Sequence, residues 1–81
     1  MTDKQIEDEV IRILRSNNTD LVDWEISPEM SFEDLGLDSL NRIDVLAEAE
    51  SVFEMSVPDA EVGNILKVRD LIAFIASVRV G

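Results

Sequence analysis

The sequence predicts an all-α fold, a four-helix bundle with three principal helices, one short helix and a long first loop. Apolar residues recur at helical spacing in three separate segments, and no segment has the two-residue alternation of a strand. Hydrophobic residues make up 46% of the 81 residues, enough for a core, whereas disordered chains are poor in them. The length fits one domain, which we expect to span 1–81.

The first helix is predicted from about Asp3 to Arg15. Thr2 and Gln5 fit a capping box, in which each side chain accepts a hydrogen bond from the other residue's backbone N–H. The helix is expected to end before the polar run 17–20, whose residues favour turns. Its predicted core face consists of Ile6, Val10, Ile13 and Leu14.

A long connection, 16–37, follows the first helix. Loops beyond about 12–15 residues are uncommon in compact domains unless they are functional or packed by their own side chains. This one contains many large apolar residues without a clean period, so we expect it to lie over the core. These residues are Leu21, Trp24, Ile26, Met30, Phe32, Leu35 and Leu37.

Three further helices are predicted in the second half of the chain. One begins at Asp38 or Ser39 and ends near Phe53, a short one follows over 59–64, and the last covers 68–78. The residues expected to face inward are Val45, Leu46, Ala49, Phe53, Val68, Leu71, Ile72, Ile75 and Val78.

The charge is strongly acidic and unevenly distributed. The formal net charge is −11, and residues 20–61 contain Arg42 as their one basic residue. Such a surface disfavours nucleic acid, whose phosphates select for Lys and Arg, and favours a partner with a basic surface. The chain has no His and no Cys and lacks a calcium-loop motif, so we expect no catalytic and no metal-binding residues.

The sequence has no feature of a secreted or membrane-spanning protein. Residues 1–9 are polar and acidic, unlike a signal peptide, and the longest apolar run, 71–76, is far shorter than the roughly 20 residues a membrane helix needs. We therefore expect a cytoplasmic protein that does not bind membranes.

The most informative segment, 34–40, reads Asp-Leu-Gly-Leu-Asp-Ser-Leu. Gly36 gives the backbone freedom just before a helix, and Asp38 can cap that helix. Ser39 then stands at the helix start, where open N–H groups and the helix dipole favour a phosphate. From the residues alone, Ser39 is either a capping residue or a site of covalent modification.

Residues 31–40 as a whole, Ser-Phe-Glu-Asp-Leu-Gly-Leu-Asp-Ser-Leu, resemble the signature of acyl carrier proteins. The resemblance extends to the length, the acidity and the helix spacing. It implies that Ser39 bears a 4′-phosphopantetheine arm, transferred from coenzyme A by a phosphopantetheinyl transferase with Mg²⁺. The chain would thus be a substrate of enzymes and not an enzyme, holding acyl intermediates as thioesters for fatty acid, polyketide or related biosynthesis.

The resemblance also implies how partners dock. Acyl-transferring or condensing enzymes would present basic patches to the acids Asp38, Asp44 and Glu50 of the second helix, and Leu40 and Ile43 would add an apolar contact. Ordinary partial burial is the alternative for Ile43. The small Ala49 indicates a place where an acyl chain could insert. A start at Met1 without linker-like flanks leads us to expect a free-standing carrier. We also expect the protein to be a monomer.

Some residues depart from the common fatty-acid pattern. Asn41 replaces an acid after the Asp-Ser-Leu motif, Arg42 adds a cation to the docking helix, and Lys67 stands where a threonine often caps the last helix. A dedicated aminoacyl or siderophore pathway therefore stays open. From a different class, a non-carrier acidic helical adaptor that binds a basic partner also stays open.

Overall fold

The computed structural model describes residues 2–79, with side chains as far as Val78, so the expected start at Met1 lies outside it. Within this range the chain contains four α-helices and no strand, which confirms the predicted all-α fold. An isolated antiparallel bridge joins Ser31 to Lys67. The helices are α1 (Asp3–Asn17), α2 (Ser39–Phe53), α3 (Asp59–Val62) and α4 (Val68–Arg79).

Helix α1 packs against both α2 and α4. Its predicted capping box is confirmed: the Gln5 N–H donates to Thr2 Oγ1 at 3.2 Å, and the Thr2 N–H donates to Gln5 Oε1 at 2.8 Å. The four residues predicted for its core face are those it buries. The apolar stripe of α1 therefore serves two neighbouring helices.

The core faces of α2 and α4 follow the prediction except at the end of α4. All four predicted residues of α2 are buried, as are Val68, Leu71 and Ile75, while Ile72 is half-buried. Val78 is 45% exposed, so its predicted inward orientation is wrong. The helical period continues to the last turn, but burial also needs a neighbouring element to cover that turn.

Most apolar side chains of the long first loop are buried in the same core. Leu21, in a 3₁₀ turn over Thr19–Asp23, is buried, and so are the loop residues Ile26, Phe32, Leu35 and Leu37. Trp24 is 44% exposed, which corrects its expected packing role. The backbone carbonyl of Trp24 accepts a hydrogen bond from Arg15 Nη2 at 2.9 Å.

Backbone hydrogen bonds fasten this loop to the start of α4. The Phe32 N–H donates to the Leu66 carbonyl at 3.0 Å, and the Val68 N–H donates to the Met30 carbonyl at 3.0 Å. A third bond runs from the Arg69 N–H to the Pro28 carbonyl at 2.9 Å. These contacts bring residues 28–32 beside residues 66–69, although the two segments are far apart in sequence.

Helix α3 is the least anchored element. It ends at Val62, two residues before the predicted end, and it buries no residue. Gly63 has φ −69°, so the helix ends without a left-handed residue. Within residues 2–79, no helix is both long enough and apolar enough to cross a bilayer.

Candidate functional site

The turn before α2 is built by the motif residues. Gly36 has φ +75°, a conformation that glycine adopts at little cost and other residues rarely adopt. Ser31 and Asp34 bond reciprocally: the Ser31 N–H donates to Asp34 Oδ2 at 3.1 Å, and the Asp34 N–H donates to Ser31 Oγ at 2.9 Å. The loop therefore enters α2 with a fixed direction.

Asp38 occupies the N-cap of α2. Its Oδ1 accepts a hydrogen bond from the Asn41 N–H at 2.8 Å, and its own carbonyl accepts from the Arg42 N–H at 2.9 Å. Ser39 is consequently the first residue inside the helix. Of the two readings that the sequence left open for Ser39, the capping role belongs to Asp38.

The Ser39 side chain is exposed, and its hydroxyl has no hydrogen-bond partner within the part of the chain that the structure describes. The N–H groups of Ser39 and Leu40 have no acceptor there either, as expected for the first turn of a helix. These N–H groups and the helix dipole favour an anion attached at this position. The expected exposed serine at an anion-tolerant helix start is thus present.

A cleft of about 500 Å³ opens beside Ser39. We call it the loop-side cleft, because its walls come from the end of the first loop, the first turn of α2 and the segment before α4. It is lined by Ser31, Phe32, Glu33, Leu37, Asp38, Ser39, Arg42, Leu66 and Lys67.

Two cations line this cleft without an ionic partner in the described residues. Arg42 and Lys67 take part in none of the described ion pairs, and Arg42 Nε is buried with no hydrogen-bond acceptor. The other described cations each have an ion-pair or hydrogen-bond partner, although Arg15 Nε, like Arg42 Nε, is buried without an acceptor. Lys4 pairs with Asp8, Arg12 with Glu9 and Arg69 with Glu29, while Arg15 donates to a backbone carbonyl.

The pairings on α1 also affect proton affinity. The hydrogen bond from Lys4 to Asp8 raises the pKa of the Lys4 ammonium, and the bond from Arg12 to Glu9 raises the pKa of the Arg12 guanidinium. Acids of this chain therefore do engage nearby cations where the geometry allows it. Arg42 and Lys67 have no ion pair because the fold places no carboxylate of the described residues within reach of them.

A second depression of about 360 Å³ lies on another side of α2, between α2 and α3. We call it the α2–α3 groove. Its lining is mostly apolar with two carboxylates, and among the described residues it includes no cation. It consists of Ile43, Leu46, Ala47, Glu50, Val57, Asp59 and Val62.

The acyl insertion point expected at Ala49 does not coincide with this groove. Ala49 is fully buried in the core, whereas Ala47, two residues earlier on α2, lines the groove. Both are small, so size alone does not distinguish them. The distinction comes from which face of α2 meets α3.

The predicted docking residues differ in how freely a partner could reach them. Leu40 is 73% exposed and Ile43 is 55% exposed, so a partner could reach both side chains. Asp44 is exposed as well. Glu50 is half-buried, and its Oε2 accepts a hydrogen bond from the Val57 N–H at 2.8 Å.

Sequence reasoning missed that Arg42 and Lys67 share one cleft. Each stood out singly as a departure from the common pattern, but they are 25 positions apart and belong to no shared motif. A signal was present in the charges, since Arg42 is the one base of residues 20–61 and follows Ser39 by three positions. Residues at that spacing on a helix are neighbours.

Comparisons with known proteins find related sequences. A family model described as "Phosphopantetheine attachment site" matches residues 5–75. An acyl carrier protein of Rickettsia bellii is 41% identical over 71 residues, which is 86% of each chain. One from Chlorobium phaeobacteroides is 36% identical over 79 residues, covering 93% of this chain and 96% of the other.

A solved structure is similar as well. The crystal structure of an acyl carrier protein from Thermotoga maritima has a TM-score of 0.82 and 27% identity, covering 95% of this chain and 89% of the other. The residues around Ser39 fit the group that the family model describes. The serine hydroxyl is exposed, the neighbouring amides are open, and Arg42, whose Nε is buried without a hydrogen-bond partner, lines the adjoining cleft.

Proposed function

Because the chain belongs to the acyl carrier protein family, whose members bear a 4′-phosphopantetheine group, we propose that Ser39 is the attachment residue and that the protein carries acyl groups. The observation that supports this most strongly is the exposed Ser39 hydroxyl, which has no hydrogen-bond partner among residues 2–79. Asp38 already caps α2, so Ser39 is not needed for the cap. When bound, the group supplies a thiol, which a chain without Cys lacks, and the thiol carries acyl groups as thioesters.

Loading is a transfer to the serine oxygen. A bond forms between Ser39 Oγ and the pantetheine-bearing phosphorus of coenzyme A, the phosphoanhydride bond breaks, and adenosine 3′,5′-bisphosphate leaves. The hydroxyl proton must pass to a base of the phosphopantetheinyl transferase, because this chain has no His and places no base in hydrogen-bond contact with Ser39 among its described residues. The protein is therefore a substrate in this step, with Mg²⁺ on the phosphates of coenzyme A.

The start of α2 is the surface that partner enzymes would meet. Leu40 and Ile43 present apolar side chains close to Ser39, and Asp38 and Asp44 add exposed negative charge. Basic patches on the transferase and on acyl-transferring or condensing enzymes complement such a surface. Charges of this kind raise encounter rates more than affinity. Glu50 adds charge further along α2, although its carboxylate also accepts a hydrogen bond from the Val57 N–H.

The relatives of this chain are named acyl carrier proteins. Their name favours an acyl cargo for fatty acid, polyketide or related biosynthesis over a dedicated aminoacyl or siderophore pathway. The α2–α3 groove is a place where such a cargo could rest, since its walls are mostly apolar. The loop-side cleft is less suited to an apolar cargo, because charged residues line it.

The test is a loading assay on the apo protein. We expect incubation with coenzyme A, Mg²⁺ and a broad-specificity phosphopantetheinyl transferase to add one phosphopantetheine mass, and Ser39→Ala to add none. Ser51→Ala is the matched control, because Ser51 is an exposed serine of the same helix, and it should load like the wild type. A wild-type protein that stays unmodified with several transferases contradicts the proposal, and so does a loaded Ser39→Ala variant.

A further inference from the structure

The loop-side cleft contains two cations, Arg42 and Lys67, that lack an ionic partner among the described residues, in a chain whose net charge is −11. Arg15 also lacks an ionic partner, but it donates to the Trp24 carbonyl. With 18 acidic residues available, an unpaired arginine and an unpaired lysine in one cleft are unexpected. Both line the same 500 Å³ space as Ser39. The position of these two charges points to an anion that is not part of the polypeptide.

Arg42 is placed to reach a group on Ser39. It follows Ser39 by three positions on α2, and residues at this spacing are neighbours on one face of a helix. Its Nε is buried and has no acceptor, a state that costs free energy unless a partner arrives. A guanidinium donates well-directed hydrogen bonds to phosphate oxygens, which suits it to that partner.

Lys67 lines the same cleft from the segment before α4. Its position is fixed by its own backbone, because the Lys67 N–H donates to Asp70 Oδ2 at 3.0 Å and the neighbouring backbone is bonded to the first loop. Among the described residues its ammonium has no carboxylate within salt-bridge distance. Arg42 and Lys67 therefore contribute two cations to the lining of the cleft that also includes Ser39.

Two carboxylates also line the cleft and must be weighed against this pair. Asp38 is engaged by the Asn41 N–H, and Glu33 is exposed to solvent. Neither lies within ion-pair distance of Arg42 or Lys67. The cleft is therefore close to neutral, while the rest of α2 and the α2–α3 groove are negative, and one added phosphodiester charge is better tolerated here than elsewhere on the helix.

We propose that Arg42 and Lys67 bind the phosphodiester of the group attached to Ser39, and so hold the first part of the arm at the loop-side cleft. This inference rests on the proposed function. It assigns to the two residues a role as binding residues for the phosphate, without part in the bond-forming step. Arg42 supplies directed donors and Lys67 supplies charge.

The experiment compares apo and loaded protein, with loading confirmed by intact mass. In ¹H–¹⁵N spectra, the Arg42 Nε–H signal should shift and exchange more slowly after loading. In ³¹P spectra, the phosphodiester of the wild type should relax with the folded protein and respond to added salt. Removing one cation from an exposed phosphate contact should lower the bound fraction about two- to fivefold.

Variants separate this role from a structural one. Arg42→Gln and Lys67→Gln should each make the phosphodiester more mobile and weaken its response to salt, and Arg42→Lys should restore part of the effect. Arg12→Gln, which removes a paired cation of α1, is the matched control and should leave the ³¹P signal unchanged.

Two results would overturn the inference in different ways. If the loaded Arg42→Gln and Lys67→Gln proteins have the wild-type ³¹P relaxation and salt response, the cations do not bind the phosphate, while the attachment at Ser39 stands. If the wild type gains no mass on incubation, the attachment itself fails, and this inference fails with it.

Discussion

The loop-side cleft and the α2–α3 groove differ in both charge and anchoring. The cleft has two cations, and its walls are joined by backbone hydrogen bonds between the first loop and the start of α4. The groove has two carboxylates, and its outer wall is α3, a four-residue helix that buries nothing. Ser39 lies in the first of these regions, and Ile43 lines the second.

This difference suggests that the two regions beside α2 bind different parts of the attached group. A region tied by backbone bonds keeps its shape, whereas a short helix with no buried residue is the part that can open at low cost. The cleft is thus suited to hold a fixed anionic group, and the groove is suited to admit an apolar one. Four predictions test this comparison.

The largest loss of unfolding free energy is expected when a buried side chain that lines the loop-side cleft is shortened. Phe32 is 1% exposed, so Phe32→Ala should cost about 3–5 kcal/mol of unfolding free energy through the cavity it leaves. The matched change in the groove is Ile43→Ala, which removes a side chain that is 55% exposed and should cost under about 1 kcal/mol. Urea unfolding measures both, and equal losses would show that the two regions are anchored alike.

The second prediction tests how firmly the segment before α4 is anchored. The Asp70 carboxylate accepts hydrogen bonds from the Leu66 N–H at 3.2 Å and from the Lys67 N–H at 3.0 Å. Asp70→Ala should cost about 1–2 kcal/mol, as the loss of a helix cap does, and should speed hydrogen exchange at these two amides. Asp59→Ala, in the first turn of α3, is the control. Unchanged exchange at Leu66 and Lys67 would contradict the anchoring role.

A third prediction concerns docking through the acidic side of α2. Asp44→Lys should lower the rate of loading by a transferase on the order of threefold to tenfold at low salt, and less at high salt, because screening removes the steering. Asp23→Lys makes the same charge change in the first loop, away from Ser39 along the chain, and should slow loading less. Equal slowing of Asp44→Lys at both salt concentrations would indicate lost packing instead of lost attraction.

The smallest effect is expected where α2 ends, beyond the groove. Glu54 has φ +52°, a left-handed conformation that disfavours residues other than glycine. Glu54→Gly should therefore stabilise the protein by about 0.5–1 kcal/mol. Glu54→Gln removes the charge but keeps the strain, so thermal unfolding of both variants separates the two causes. A gain of the same size for Glu54→Gln would assign the effect to charge.

The sequence predicts the helices well because their signals are local. The capping box of Thr2 and Gln5, the cap at Asp38 and the apolar stripe of α2 are each contained in a short segment, and all are confirmed. Exposure at Val78 and Trp24 was predicted wrongly, because it depends on which element covers each side chain and not on its polarity.

The site was predictable only in its local part. The position of Ser39 at the start of α2 follows from the Gly36 and Asp38 signals that surround it. The placement of Arg42 and Lys67 in one cleft depends on nonlocal backbone bonds between the loop and the start of α4, which have no sequence period. The sequence also did not distinguish Ala47 from Ala49 as the residue beside the groove, because this depends on which face of α2 meets α3.

The most direct test of the central claim is the mass of the protein as purified from the cells that produce it naturally, followed by fragmentation. We expect an intact mass larger than that of the polypeptide by one phosphopantetheine, with or without an acyl group. Fragment ions should place the added mass on Ser39. A polypeptide of unmodified mass, or an added group on any residue other than Ser39, would contradict the account.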